Sequence, residues 1–264
     1  MIRAYFNFKA LPFQKNTIPD QLYQSQSFKE GLKRLEYLKQ NRGIMLLTGN
    51  SGVGKSTLIR TFSDSLGAQH YKICYIPLAS VSILDFYRQL NFFLTGINLH
   101  QKAALFFSIQ EAIRNFISNR KLVPVFLFDE AHLFKNDNFF ELQMILNFDF
   151  DSICPAIIVL IAQSHLRERL ARDFLYSFNR RISLKFHLID LNKSESLDFI
   201  KHSIAIVGGS PDVFSTAALD VIYSNSQGNL SMISKLAFNS LFAAASSNKK
   251  IVSEEEVYLA SKEL

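Results

Sequence analysis

Residues 44–56 read Ile44-Met45-Leu46-Leu47-Thr48-Gly49-Asn50-Ser51-Gly52-Val53-Gly54-Lys55-Ser56, an apolar run that breaks into a glycine-rich turn and then into a helix-forming stretch. The turn matches G-x-x-x-x-G-K-[S/T] and lies between a strand pattern and a helical one, the context in which that spacing carries a mechanism. The glycines let the backbone curl so that successive N–H groups converge on phosphate oxygens, and the helix that follows adds the positive end of its dipole. Lys55 is placed to reach β- and γ-phosphates, and Ser56 to offer its hydroxyl to Mg2+. Gly49, Asn50, Ser51, Gly52, Val53, Gly54, Lys55, Ser56 and Thr57 together form the expected nucleotide-binding stretch.

Further apolar runs at 71–77, 122–128 and 156–162 suit buried parallel strands, and a fifth at 182–188 alternates more. Helical patterns at 55–65, 83–94, 103–118, 139–148 and 165–178 separate them, and an amphipathic helix is expected at 27–39. Strands alternating with helices of this length imply βαβ units and a parallel sheet covered on both faces. After Asp190 only helical patterns remain, at 194–207, 212–224, 230–245 and 253–263. Pro211-Asp212 reads as a helix start, and Ser253 with Glu256 as a capping box. The expected architecture is α/β: a P-loop nucleotide-binding domain with a parallel five-stranded sheet over residues 1–190, then a small all-helical domain over 191–264.

The second chemical signal is Val125-Phe126-Leu127-Phe128-Asp129-Glu130, four apolar residues ending in two carboxylates. Such a strand delivers Asp129 to the hydration shell of Mg2+ and Glu130 to a water that attacks the γ-phosphate. Acidic pairs at strand ends also serve as helix caps, but a phosphate loop upstream favours the catalytic reading. Asp129-Glu130-Ala131-His132 also spells a helicase-type box, but no matching helicase motifs follow in these 264 residues and no second motor domain is expected in them; His132 reads as a helix-start residue. The strand at 156–162 ends in Gln163-Ser164, where a polar side chain between the phosphate loop and the acidic strand can bond the γ-phosphate or the attacking water. Asn179-Arg180-Arg181 precedes the fifth strand. An arginine there either projects into a neighbouring subunit's nucleotide or simply complements a helix C-terminus.

Composition sets outer limits. The 264 residues are 48% apolar and 20% charged, which excludes wholesale disorder. Two cysteines, Cys74 and Cys154, exclude a disulfide framework and a four-ligand zinc site. The six histidines show no metal-ligand spacing. No apolar run approaches the roughly 20 residues of a membrane span, and the N-terminus has no signal-peptide pattern, so a soluble cytoplasmic protein is expected. The net charge of +6 suits a polyanionic partner without requiring one.

The combination resembles a known family. Tyr5-Phe6-Asn7-Phe8 through Leu11-Pro12-Phe13, Leu22-Tyr23, Leu47-Thr48-Gly49, Asp129-Glu130-Ala131-His132, residues 142–147 and 160–170, and Arg181-Ile182 are similar to the ExeA-like AAA+ ATPases, a group that includes MuB, TniB and TnsC, the ATPase partners of DDE transposases. The resemblance implies an AAA+ core with a helical lid that binds ATP with Mg2+ between subunits. Lys55 and Ser56 match Walker A, Asp129 and Glu130 Walker B, Gln163 the sensor-1 site and Arg181 the arginine finger, with Arg180 the second choice. Pro12 and Phe13, in an N-terminal segment over 1–42, are implied near the adenine. Where that pattern has an arginine at the start of a lid helix, this chain reads Gly228-Asn229-Leu230-Ser231-Met232-Ile233, with Lys235 one turn on; slow hydrolysis follows.

That resemblance implies an ATPase that oligomerises on duplex DNA as a ring or filament and regulates transposition by recruiting or activating a transposase. Ser80, Ser82, Arg88 and Lys102 are the implied DNA contacts. The absence of a membrane span favours this branch over a secretion-associated ATPase. The third expectation, a nucleotide-gated scaffold that barely hydrolyses ATP, follows from the missing lid arginine.

Overall fold

The computed structural model describes residues 2–14, 17–77, 82–148 and 154–262. In chain order these carry α1 (Ile2–Tyr5), α2 (Gln26–Asn41), β1 (Gly43–Gly49), α3 (Lys55–Asp64), β2 (Tyr71–Ile76), α4 (Ile83–Thr95), α5 (Lys102–Ser118), β3 (Val123–Phe128), α6 (Asn136–Ile145), β4 (Ile157–Ala162), α7 (His165–Leu170), α8 (Tyr176–Arg181), β5 (Ile182–Leu188), α9 (Lys193–Ala205), α10 (Thr216–Ser226), α11 (Leu230–Ser246) and α12 (Glu254–Ser261). They divide into two compact units, one of Glu30–Asn50 with Lys55–Leu188, the other of Met1–Lys29 and Ser51–Gly54 with Ile189–Leu264.

In the α/β unit the described strands form one parallel sheet in the order β2-β3-β4-β1-β5. Every residue of β1 and β4 is buried, as their near-continuous apolar sequences require of inner strands covered on both faces, and the polar Thr48 donates its hydroxyl to Phe186 O at 3.3 Å. The outer strands β2 and β5 mix buried and exposed positions, which is why the fifth apolar run alternates. Register pairs Phe128 with Leu160 and Thr48 with Ala162. The chain therefore leaves β3, β4 and β1 at the same edge of the sheet, with Asp129, Gln163 and Asn50 the first residues out.

Two helical expectations change. The single helix read at 165–178 is α7, a 3-10 turn at Asp173–Leu175, and α8. Leu166 and Leu170 are buried on one helical face, and Leu175 and Phe178 on another. Continued at 100° per residue, one straight helix would turn the second pair away from the core, so the chain breaks between them. Arg180 and Arg181 consequently sit in the last turn of α8 rather than after a helix. The helix expected from Pro211-Asp212 is a 3-10 turn, and α10 starts only at Thr216, where the Ser215 hydroxyl accepts from Ala218 N at 3.1 Å. The intervening residues bridge to Val252: Val252 N donates to Val213 O at 2.7 Å and Ser215 N to Val252 O at 3.0 Å.

The second unit packs α9–α12 around Ile200, Ile204, Leu219, Ile222, Ile233, Leu236 and Leu241. Of the N-terminal segment, which the sequence reading grouped with the sheet, Glu30 onward lies with the sheet and Met1–Lys29 in this unit. Ile2 and Phe8 belong to its core, Lys9 N donates to Val207 O at 2.8 Å, and Gln26 N donates to Glu195 Oε1 at 2.9 Å.

Glu256 is almost wholly buried at the start of α12, yet it is charged. Burial alone would push its carboxyl up. Hydrogen bonds from Lys249 Nζ at 2.7 Å, Ser253 Oγ at 2.6 Å and Ser253 N at 2.8 Å more than offset this and bring it down to about 2. A carboxyl held below its unfolded value of 4.5 contributes stability that is complete above pH 4.5 and fades as pH falls toward 2. Glu256→Gln is expected to lower the melting temperature at pH 7 by about 3–6 °C, with the gap to the native chain closing between pH 4.5 and 2 in a calorimetric series.

Candidate functional site

The turn from β1 into α3 has the backbone its sequence implies. Gly52 and Gly54 adopt φ of +80° and +107°, conformations that side-chain-bearing residues rarely hold, and α3 begins directly at Lys55. Lys55 Nζ donates to Gly49 O and Asn50 O, each at 2.8 Å, so the ammonium is folded over the loop. Ser56 is exposed, Val53 is buried, and Thr57 is the second residue after Lys55 on the same first turn. A curl of backbone donors at the N-terminus of a ten-residue helix, with a lysine over it, is fit to hold a polyphosphate.

At the tip of β3, Asp129 is half-buried and both its oxygens are engaged: Tyr75 Oη donates to Oδ2 at 2.6 Å and Glu130 N to Oδ1 at 2.9 Å. Burial, and then the bond to Asp129, lifts the Tyr75 phenol to about 12, so it remains a donor at any physiological pH. Asp129 accordingly offers a fixed carboxylate suited to the outer shell of a hydrated cation. Glu130 is exposed and holds φ +53°, ψ +35°, a left-handed conformation unusual for a glutamate. His132 Nδ1 approaches Glu130 Oε2 to 3.3 Å. Burial, opposed by Glu130, depresses the basicity of His132, which also stacks edge-on to His165 at 4.9 Å. His132 stands within a 3-10 turn, Ala131–Leu133, and its carbonyl and that of Phe134, which ends the turn, accept from the Arg169 guanidinium.

Gln163 is half-buried at the tip of β4, and the sheet order puts that strand between β1 and β3. Arg180 is exposed with its guanidinium 6.0 Å from the Tyr176 ring; Arg181 is half-buried. Both precede Ile182, which pairs with Ile44 at the start of β1, so they lie at the sheet edge opposite Gly49. Pro12 is buried, and Phe13 packs against Phe199 of α9 at 6.1 Å. Of the implied DNA contacts, Ser80 lies outside the described residues. Ser82 caps α4, Arg88 pairs with Asp85 at 3.2 Å, and Lys102 pairs with Glu141. Lys235 lies on α11, five residues beyond its first residue, Leu230.

Three supporting side chains are absent from the motif reading: Tyr75, which donates to Asp129; Asn229, which donates to Ser51 O; and Asp190, which accepts from Asn229. Tyr75 carries a weak signal in hindsight, as an aromatic hydroxyl near the end of a strand. Asn229 shows only as a helix N-cap.

A strand–glycine loop–helix with lysine at the first helical position, facing an acid at the tip of a non-adjacent parallel strand, defines a P-loop NTPase. The chain belongs to the AAA domain family, whose model matches residues 38–170, and it is an ATPase of the AAA+ P-loop class. General secretion pathway protein A of Aeromonas hydrophila is 25% identical over 268 residues; the match covers 100% of this chain but 48% of that protein, so the chain spans about half the length of its curated relative. Among solved structures, Cdc6p of Pyrobaculum aerophilum matches with TM-score 0.73 and 15% identity over 95% of this chain and 70% of that one. Drosophila ORC bound to DNA matches with TM-score 0.67 and 16% identity, over 98% and 64%. The Holliday junction branch migration motor RuvB of Thermotoga maritima matches with TM-score 0.62 and 17% identity, over 98% and 73%. These similarities extend the fold over nearly the whole chain. Among the described residues, no helix is long and apolar enough to cross a membrane.

Proposed function

We propose that this ATPase assembles on duplex DNA in its ATP-bound state and regulates transposition, by marking a target or by recruiting or stimulating a DDE-type transposase. The observation that carries the assembly is the position of Arg180 and Arg181. About 16 Å of strand separates their edge of the sheet from the phosphate loop of the same chain, so an arginine acting on a nucleotide from there acts on a neighbour's. Charge supplied across a seam makes each site incomplete without a second copy and lets ATP act as the clamp between copies. The basic charge and the likeness to Drosophila ORC bound to DNA support a polynucleotide as the axis of assembly. Contacts of this kind are chiefly to phosphates.

Within one site, Lys55 and the loop N–H groups hold the β- and γ-phosphates, Glu130 takes the proton of the attacking water, and Gln163 orients that water or the γ-phosphate. The family resemblance assigns Pro12 and Phe13 to the base. Ser56 and Asp129 are the residues that would hold Mg2+, which supplies charge neutralisation between the phosphates when bound. Ser231 standing where a lid arginine is expected supports a low intrinsic turnover.

Duplex DNA is expected to raise ATP turnover, with binding that weakens steeply between about 50 and 200 mM salt; turnover indifferent to DNA would exclude the proposal. The curated relative favours a second reading, an ATPase serving protein secretion. In that case envelope proteins or lipid should stimulate turnover and DNA should not. Arg181→Ala is expected to lower turnover about 10- to 100-fold, Arg180 retaining part of the charge, and to abolish the rise of specific activity with protein concentration. Equal losses in dilute and concentrated protein would exclude a role across the seam.

A further inference from the structure

We propose that Asn229 is a positioning residue for nucleotide, holding the phosphate loop in its donor-presenting shape from the start of α11. Its side chain has three partners. Oδ1 accepts from Met232 N at 3.3 Å, which caps α11, while Nδ2 donates to Ser51 O at 2.8 Å and to Asp190 Oδ1 at 3.0 Å. One partner is a donor and two are acceptors, so the orientation of the amide is fixed by chemistry. Beside it, Ser231 N donates to Gly52 O at 3.0 Å. Two consecutive loop carbonyls are thus drawn toward α11.

In a planar trans peptide the N–H points opposite to the C=O. Anchoring Ser51 O and Gly52 O therefore turns the N–H groups of Gly52 and Val53 away from α11, as a loop that offers its donors to phosphate needs. The fit is close: a Cβ on Gly52 would lie 2.7 Å from both Asn229 Oδ1 and Ser231 Cβ. Gly52 is required both by its φ and by this contact. The residues standing where a phosphate-touching lid arginine is expected instead shape the loop backbone. Nucleotide affinity then depends on a side chain that touches no nucleotide, through lowered reorganisation on binding.

This rests on the phosphate-loop reading of residues 49–56, which Lys55→Ala tests separately: retained affinity in that variant would remove the reading itself. The direct test is Asn229→Ser, which keeps a neutral N-cap but lacks the reaching N–H2, alongside Asn229→Asp, which keeps the shape and the cap. Both are expected to weaken binding of fluorescent ATP and ADP analogues about tenfold, with helicity retained and turnover at saturating ATP within about twofold of native. The double variant N229D/D190N restores a donor–acceptor pair between positions 190 and 229 but not the donor to Ser51 O. It should recover melting temperature and leave affinity low. Unchanged affinity in Asn229→Ser would overturn the proposal, as would loss confined to Asn229→Asp, which signals charge alone. Affinity recovering together with melting temperature in the double variant would overturn it equally, by reducing Asn229 to a tether within its unit.

Discussion

Lys55→Ala is expected to abolish nucleotide binding at any concentration the native protein needs, a loss of about 10²–10³-fold in affinity for ATP and ADP alike. The ammonium is the charged donor folded over the loop, 2.8 Å from two of its carbonyls, and phosphate oxygens would replace those carbonyls as partners. The loss should be local. Lys55 opens α3, alanine is the better helix former there, and the packing of Leu58, Ile59 and Phe62 beneath is untouched. Equilibrium titration with a fluorescent ATP analogue, with circular dichroism on the same sample, reads both halves. Affinity within about twofold of native would contradict the phosphate-loop assignment.

Glu130→Gln is expected to cut turnover about 10²–10³-fold while leaving ATP affinity within about threefold. Glutamine preserves size and hydrogen-bonding reach but cannot take a proton from water. The backbone at Glu130 is held independently of the side-chain charge, since its N–H is fixed by Asp129 Oδ1 and its left-handed conformation by the turn Ala131–Leu133 that follows. Single-turnover hydrolysis, compared with nucleotide binding, separates the two effects. Because hydrolysis is the proposed trigger of disassembly, the variant should also persist on DNA with ATP for longer than the native protein. Unchanged turnover would instead favour a scaffold whose hydrolysis is incidental.

The sheet was legible because inner parallel strands admit few sequences. Residues 44–47 and 156–162 are apolar without interruption, so both their burial and their company of helices could be read from local pattern. The loop at Gly49 and the acids after Phe128 were legible for a related reason, since a chemistry that needs backbone curl or a carboxylate at a strand tip constrains neighbours in sequence. What stayed hidden depends on distance along the chain. Tyr75 meets Asp129 across 54 positions, and Asn229 meets Ser51 across 178; nothing local to either marks the meeting. The break between α7 and α8 was hidden because two buried pairs, Leu166 with Leu170 and Leu175 with Phe178, each look helical alone. Only their common core shows that one helix cannot bury both. The first 29 residues misled because adjacency to the first strand suggested company with it, whereas Ile2 and Phe8 find their apolar partners among helices more than 190 residues on.

The most direct measurement is the mass of protein on a short fluorescent duplex, read by sedimentation with a slowly hydrolysed ATP analogue, with ADP, and without nucleotide. Assembly at a nucleotide seam predicts multi-subunit complexes on the duplex with the analogue, none with ADP, and none from Lys55→Ala in any condition. A chain that sediments as a monomer, leaving the duplex free whichever nucleotide is supplied, would contradict it.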